Sequence, residues 1–100
     1  MTNSVRLVIR PALAQTLGLD ANHSKLECSL APGESLADVL ARLADENPAI
    51  ARRVYDREER RVNSLVQISI NGRLLSLVGG VETTLRDGDE VLIFYAAAGG

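Results

Sequence analysis

Three segments of the chain alternate apolar and polar residues over most of their length, which is the period of a β-strand with one buried face. They cover residues 5–9, 25–30 and 65–71, and each is predicted to be a strand. A fourth strand is predicted over residues 90–95, a short run that is almost wholly apolar. In the first three segments the apolar residues share one face, and that face is expected to point to the core. These residues are Val5, Leu7, Ile9, Leu26, Cys28, Leu30, Val66, Ile68 and Ile70.

One segment follows the period of an α-helix instead. Residues 36–43 carry leucine or valine at spacings of three and four, which predicts an amphipathic helix with one apolar stripe. Ser35 is a favourable N-cap, and Asp38 three positions later makes an acidic form of the capping box. Pro48 predicts the end of the helix, because proline disfavours helical backbone in the residue before it. Apolar residues four apart within 50–54 favour one further helical turn.

The remaining segments are predicted to be loops and turns. Residues 12–24 are mixed and contain several turn formers, and residues 56–63 are a charged stretch expected to form a solvated loop. Asn71-Gly72 is typical of a two-residue hairpin and predicts a short returning strand over residues 73–75. Asp87-Gly88 predicts a second tight turn before the last strand.

The order strand, strand, helix, strand, short strand, strand predicts an α+β domain. We expect a mixed sheet of about five strands, with the first and last strands as central neighbours and one main helix packed across one face. A chain of 100 residues is long enough to bury one core. The predicted organisation is a domain over residues 1–95 and a flexible C-terminal tail over residues 96–100.

Composition excludes several classes of partner and site. The net charge is −2 and the pI is near 5.3, which argues against a nucleic-acid binder. No apolar run approaches the roughly 20 residues that span a bilayer, and no secretory signal is visible, so a cytoplasmic protein without membrane contact is expected. Cys28 is alone, so no disulfide or cysteine metal cage forms within the chain, and no metal site is expected.

An arginine-rich run lies between the predicted helix and the third strand. Arg52, Arg53, Arg57, Arg60 and Arg61 alternate with three carboxylates in residues 56–59. This interleaving favours a solvated surface over a patch that binds phosphate or an acidic partner.

The tail is the main chemical feature of the sequence. Gly99-Gly100 places a carboxylate on the least hindered backbone available, and Ala96, Ala97 and Ala98 before it add only methyl groups. Five extended residues span up to about 17 Å. The pattern therefore predicts a C-terminus that enters a narrow tunnel in another enzyme, with the Gly100 carboxylate as the reacting group.

Three pieces of sequence, in this order, resemble one known family. They are Val66-Gln67-Ile68-Ser69-Ile70-Asn71-Gly72, then Leu85-Arg86-Asp87-Gly88-Asp89-Glu90-Val91, then the terminal diglycine after a short spacer. Together they resemble the ThiS/MoaD/CysO group of ubiquitin-like sulfur carrier proteins, over nearly the whole chain, which implies the β-grasp fold. MoaD tails often carry Pro-Pro where this chain has alanines. Molybdenum cofactor (molybdopterin), cysteine, thiamine thiazole and a sulfur-bearing secondary metabolite all remain open as destinations of the sulfur, and the length of the chain favours a MoaD-like or CysO-like role over a ThiS-like one.

The resemblance also implies a reaction sequence. A partner adenylating enzyme of the ubiquitin-activating type, using ATP and magnesium, would activate the carboxylate of Gly100. A sulfur donor would convert the adenylate into a thiocarboxylate, and a sulfur-acceptor synthase would take the sulfur. The chain would be a protein cosubstrate rather than an enzyme, although MoaD-like members count as the small subunit of a synthase. No cofactor is expected to bind to the chain itself.

A surface for such partners is predicted on the sheet face away from the helix. If the helix covers the apolar face of the first strand, Val8, Leu92 and Phe94 lie together on the open face, where exposed apolar residues usually mark a partner site. The other register of the last strand would bury Phe94 and expose Val91 and Ile93. The sequence leaves both registers open.

Two other functions remain possible from the sequence. One is a ubiquitin-like modifier that is joined to lysines of target proteins through Gly100. The other is a binding module with an inert tail, for which deletion of Gly99-Gly100 would change nothing.

Overall fold

The computed structural model describes residues 3–20 and 24–96. The strands are β1 (Asn3–Ile9), β2 (Lys25–Leu30), β3 (Tyr55–Asp56), β4 (Arg61–Val62), β5 (Val66–Ile70), β6 (Arg73–Leu74) and β7 (Glu90–Tyr95). The helices are α1 (Pro11–Thr16), α2 (Leu36–Glu46) and α3 (Pro48–Arg53), and two 3₁₀ turns cover Leu75–Leu77 and Gly80–Glu82. In these two ranges of the chain, no helix is long and apolar enough to cross a membrane.

Five strands form one mixed sheet in the order β2-β1-β7-β5-β6. The first and last strands are parallel neighbours at its centre, and every other pair in this sheet is antiparallel. Strands β3 and β4 form a separate two-stranded hairpin. The predicted α+β architecture, with about five strands in a mixed sheet and one main helix, is confirmed.

One face of the sheet and the apolar stripe of α2 contribute to a single core. Val5 and Leu7 of β1 and Leu36 and Leu40 of α2 are fully buried. The predicted inward residues of β5 are buried too, and Val91 and Ile93 are buried in β7. The register of the last strand is therefore the one that leaves Leu92 and Phe94 on the opposite face. In β2, Leu30 is buried, whereas Leu26 and Cys28 are half-buried.

The start and end of α2 follow the predicted signals. The Ser35 hydroxyl accepts a hydrogen bond from the backbone N–H of Asp38 at 3.2 Å, and the Asp38 carboxylate accepts from the backbone N–H of Ser35 at 3.0 Å. The helix ends at Glu46, where Asn47 becomes the N-cap of α3. Pro48 begins α3, because its fixed φ suits a first helical turn that needs no N–H. The further turn predicted after Pro48 is confirmed.

The prediction of a loop over residues 12–24 is wrong in its first part, where the structure has α1. Pro11 occupies the first turn, and Leu13, Ala14 and Leu17 are buried against the core. Gly18 follows at φ +75°, a left-handed conformation typical of a residue that ends a helix. Six residues give too few repeats of the helical period for the pattern to stand out.

The predicted loop over residues 56–63 contains the β3–β4 hairpin. Each strand has only two residues, so no alternation is visible in the sequence. Tyr55 anchors this hairpin because its side chain is only 2% exposed. The charged residues between the strands are exposed, as expected for a solvated turn.

The Asn71-Gly72 hairpin is confirmed. Both residues have positive φ, +51° and +85°, as a type I′ turn requires. The amide of Asn71 also joins the turn to the start of β7, since it donates to Asp89 and accepts from the backbone N–H of Glu90, both at 2.9 Å. The returning strand ends at Leu74, one residue earlier than predicted, because Leu75 begins a 3₁₀ turn.

Candidate functional site

The tail begins at the end of β7, next to β5. The backbone N–H of Ala96 donates to the carbonyl of Leu65 at 2.8 Å, so the chain is held to the sheet as far as residue 96. We call Tyr95 and Ala96 the tail root. The predicted site residues Ala97, Ala98, Gly99 and Gly100 lie outside the described residues.

The tail root is also attached to α1. The hydroxyl of Tyr95 donates to Oγ1 of Thr16 at 2.6 Å, and the Thr16 hydroxyl donates to the carbonyl of Ala12 at 3.2 Å. These bonds fix the end of the last strand against the short helix. Neither Tyr95 nor Thr16 was predicted to have this role, because α1 was predicted to be a loop. Pro11 followed by Leu13 and Leu17 is the sequence signal that indicates the helix.

The three predicted docking residues lie together on the open face of the sheet. Val8 is directly beside Leu92 in the parallel pair, and both are half-buried, as is Phe94. Leu92 lies across from Ser69, which in turn lies across from Leu74 at the edge of the sheet. Leu74 is 40% exposed and extends the apolar surface. We call Val8, Leu74, Leu92 and Phe94 the open-face patch.

Leu74 was not predicted as part of this surface. Its position depends on the pairing of β6 with β5, and the sequence shows the turn but not the face on which each returning residue lies. A shallow groove runs from Leu92 and Phe94 past Arg10 and Leu13 to Tyr95. The open-face patch is therefore continuous with the tail root.

The lone cysteine lies away from the tail, on the edge strand β2. Val5 is its partner in the neighbouring strand, and the groove beside Cys28 is lined by Val39, Arg42 and Leu43 of α2. Burial raises the pKa of the Cys28 thiol, and the nearby Arg42 acts in the opposite direction with a smaller effect. A thiol with a raised pKa is mostly protonated at neutral pH, so Cys28 is suited to packing rather than to nucleophilic attack.

The acidic turn before β7 has a structural role. Asp87 accepts a hydrogen bond from the backbone N–H of Ser4 at 2.8 Å, and Asp89 accepts one from the backbone N–H of Arg86 at 2.8 Å. Over residues 3–20 and 24–96, no three metal-binding side chains come together. His23 falls outside the described part of the chain.

The arginine-rich run contains paired and unpaired arginines, and within the described residues Arg61 is among the unpaired ones. Arg57 pairs with Asp45 on α2, and Arg60 pairs with Glu82 at 2.8 Å. Arg52 and Arg53, in the last turn of α3, are exposed instead beside Tyr95 at the tail root. The candidate site therefore combines the open-face patch, the tail root and two exposed arginines.

Three solved structures are similar to this chain along nearly its whole length. Small archaeal modifier protein 1 of Methanosarcina acetivorans is 28% identical with a TM-score of 0.74, and the alignment covers 100% of this chain and 99% of that one. The HVO 2177 protein of Haloferax volcanii is 26% identical with a TM-score of 0.76, covering 99% and 88%. The matching chain of the Amycolatopsis orientalis BexX/CysO complex is 23% identical with a TM-score of 0.71, covering 96% and 99%.

A search of curated protein sequences found no significant match. The model of the ThiS family, in contrast, matches residues 19–100, which is most of the chain and extends to the terminal diglycine. The similar structures agree with the five-stranded mixed sheet and its main helix. The chain therefore belongs to the ThiS family, and its fold is the ubiquitin-like β-grasp.

Proposed function

We propose that this chain is a sulfur carrier whose reacting group is the carboxylate of Gly100. The observation that carries the proposal is the match of the ThiS family to residues 19–100, which includes Gly100. The tail root supports it, because among the described residues Ala96 still bonds to the sheet, through the carbonyl of Leu65. Four residues follow, and none has a side chain larger than a methyl group.

The chemistry explains why such a tail is needed. A carboxylate does not exchange oxygen for sulfur directly, because oxide is a poor leaving group. Attack of a Gly100 carboxylate oxygen on the α-phosphorus of ATP releases pyrophosphate and forms an acyl-adenylate. Hydrosulfide released by a sulfur donor then attacks the carbonyl carbon, the bond to AMP breaks and AMP leaves, and the acyl-adenylate becomes a thiocarboxylate. The partner enzyme binds the ATP and magnesium, and this chain contributes the acyl group.

The dimensions of the tail suit a partner that encloses it. Four extended residues after Ala96 reach at most about 14 Å, so the body of the carrier stays close to the enzyme while Gly100 reacts. Ordering alanine and glycine side chains costs almost no rotamer entropy. We propose the open-face patch as the surface that binds the partner, since it is apolar, accessible and continuous with the tail root.

A second function is favoured by one observation, the likeness to small archaeal modifier protein 1 over the whole chain. In a modifier, the same adenylate would react with the amine of a lysine on a target protein and form an amide bond. The two functions share the activation step and differ in the nucleophile that follows it.

Activation can be tested with the adenylating enzyme of the same host. Wild-type protein, ATP and magnesium should release pyrophosphate in proportion to the carrier added. Gly100→Trp, or one residue added after Gly100, should abolish release, because a side chain or an extra residue prevents the carboxylate from reaching the α-phosphorus. Leu77→Trp is a matched control at an exposed position in a 3₁₀ turn, and it should release pyrophosphate normally. Normal activation of the Gly100→Trp protein would contradict the proposal.

A further inference from the structure

Three arginines surround the tail root from two sides. Arg52 and Arg53 line a hollow with Leu13 and Tyr95, and Arg10 lines the neighbouring groove with the same two residues. All three arginines are exposed. Leu13 and Tyr95 therefore lie between this hollow and the groove, and we call the hollow and the groove together the basic hollows. They meet at the point where the chain leaves the sheet. We call Arg10, Arg52 and Arg53 the root arginines.

None of the described residues that line the two basic hollows is an acid. The other residues that line them are Ala12, Asn63, Leu65, Leu92 and Phe94. Within residues 3–20 and 24–96, no root arginine has an ion-pair partner, whereas Arg42, Arg57 and Arg60 each pair with an acid. The whole chain has more acids than bases, with 13 against 11. Arg52 also lines a further hollow with Asp56, but the two form no ion pair in the described part of the chain. The three root arginines are therefore a local excess of positive charge.

Four other cations of the described residues have no ion pair, and none of them lines either basic hollow: Lys25, Arg61, Arg73 and Arg86. Arg86 lies between Leu85 and the acidic turn at Asp87, at the start of β7 and thus at the opposite end of that strand from the tail root. Arg61 lies opposite Asp56 in the β3–β4 hairpin. Among the unpaired cations of the described residues, the root arginines are the ones that line a basic hollow together with Tyr95.

We propose that the root arginines bind carboxylates on the surface of the enzyme that receives the tail, around the opening through which the tail enters. This inference rests on the proposed function and adds the chemistry of the partner. Guanidinium groups bind carboxylates through two parallel hydrogen bonds and lose less hydration than ammonium groups, so they suit an interface. Opposite charges at the edge of an interface also speed association and orient the two proteins. Here they would direct the end of β7 to the opening in the enzyme.

A carboxylate partner fits the geometry better than the phosphates of ATP. The nucleotide reacts at Gly100, four residues beyond the tail root. When the tail is extended inside an enzyme, the root arginines lie at the mouth of the tunnel and the phosphates lie at its end. The arginines therefore face the surface of the enzyme.

A titration tests the basic surface without any enzyme. The full-length chain, labelled with ¹⁵N, is titrated at low salt with hexaglutamate and, at equal ionic strength, with inorganic pyrophosphate. The proposal predicts that hexaglutamate shifts the Nε–Hε signals of Arg10, Arg52 and Arg53 more than those of Arg61 and Arg86. Equal or larger shifts at Arg61 and Arg86, or stronger shifts of the root arginines by pyrophosphate, would overturn it.

The activating enzyme provides the second test. Arg52→Glu/Arg53→Glu should raise the KM for the carrier about tenfold, with kcat and the KM for ATP nearly unchanged. Charges at the edge of an interface affect the association of the two proteins and not the reaction that follows. Arg61→Glu/Arg86→Glu changes the net charge equally and should leave the KM for the carrier within about twofold of wild type. Arg52→Lys/Arg53→Lys keeps the charge but not the paired hydrogen bonds, so its KM for the carrier should lie between those of wild type and the glutamate variant.

The structural role of these residues needs its own control. Arg52 and Arg53 lie in the last turn of α3, where cations also interact favourably with the helix dipole. Arg52→Gln/Arg53→Gln removes the positive charge without adding a negative one, and its KM should still rise while its melting temperature stays near that of wild type. The proposal would be overturned if the KM for the carrier were unchanged in both Arg52→Glu/Arg53→Glu and Arg52→Gln/Arg53→Gln. If the wild-type protein releases no pyrophosphate, the proposed function fails, and the titration still decides the inference.

Discussion

At the level of single residues, the start of α2 depends on Ser35 and Asp38. Each side chain satisfies a backbone N–H of the other, so two groups at the helix terminus have partners. The backbone N–H of Ser35, and then its hydroxyl, hold the pKa of the Asp38 carboxyl below its ordinary value. The protonation state of Asp38 is therefore coupled to the stability of the fold.

This coupling predicts a loss of stability in acid. Because the pKa of Asp38 is lower in the folded than in the unfolded chain, its contribution is complete above the unfolded value of about 3.9 and is lost as the pH falls through the folded value. The difference in the free energy of unfolding between wild type and Asp38→Asn should therefore be largest near neutral pH and shrink below about pH 4. Urea unfolding across this range measures it, and a difference independent of pH would contradict the assignment.

At the level of elements, the sequence predicts the parts whose pattern is long enough to repeat. The strands of the central sheet and α2 each contain several residues at the expected spacing, so the core face of β5 and the cap of α2 follow directly. Helix α1 has six residues and each strand of the small hairpin has two, so these segments are too short to show a periodic pattern. Their secondary structure depends on contacts with residues distant in sequence. The register of β7 needed the structure, because both of its faces carry apolar side chains.

Helix α1 should contribute to stability despite its length. Leu13 is 1% exposed in the core, so Leu13→Ala should lower the free energy of unfolding by about 2–5 kcal/mol through lost burial and a cavity. Leu77→Ala is a matched control, because Leu77 is 76% exposed and its truncation should change stability by less than about 0.5 kcal/mol. Chemical denaturation compares the two variants, and equal stabilities would show that α1 does not belong to the folded core.

The open-face patch should contribute more to binding than to folding. Phe94 is half-buried and lies opposite Gln67 on the face away from the core, so a carboxylate there remains solvated. Phe94→Asp should weaken binding of the activating enzyme at least about tenfold, whereas the melting temperature should fall by only a few degrees. Leu77→Asp tests an exposed leucine outside the patch and should not affect binding. A large loss of melting temperature with unchanged affinity would place Phe94 in the core instead.

At the scale of the whole molecule, one groove joins the open-face patch to the tail root. Val8, Leu92 and Phe94 were predicted together because neighbouring strands with known faces place such residues side by side. The position of Arg52 and Arg53 at the tail root was not predictable, since both are distant in sequence from Tyr95 and lie beside it only through α3. Three carboxylates lie within the arginine-rich run, so the sequence alone does not show which arginines form ion pairs.

The central claim is that Gly100 of this chain carries sulfur. The most direct measurement is the mass of the C-terminal proteolytic fragment, after purification of the full-length protein from its native host. The account predicts a fragment in which one terminal oxygen is replaced by sulfur, and that change should disappear from the Gly100→Trp variant. Measuring this fragment alone avoids confusion with oxidation at Met1, which adds nearly the same mass to the intact protein. A fragment that always ends in an unmodified carboxylate, or that is found linked to lysines of other proteins, would contradict the account.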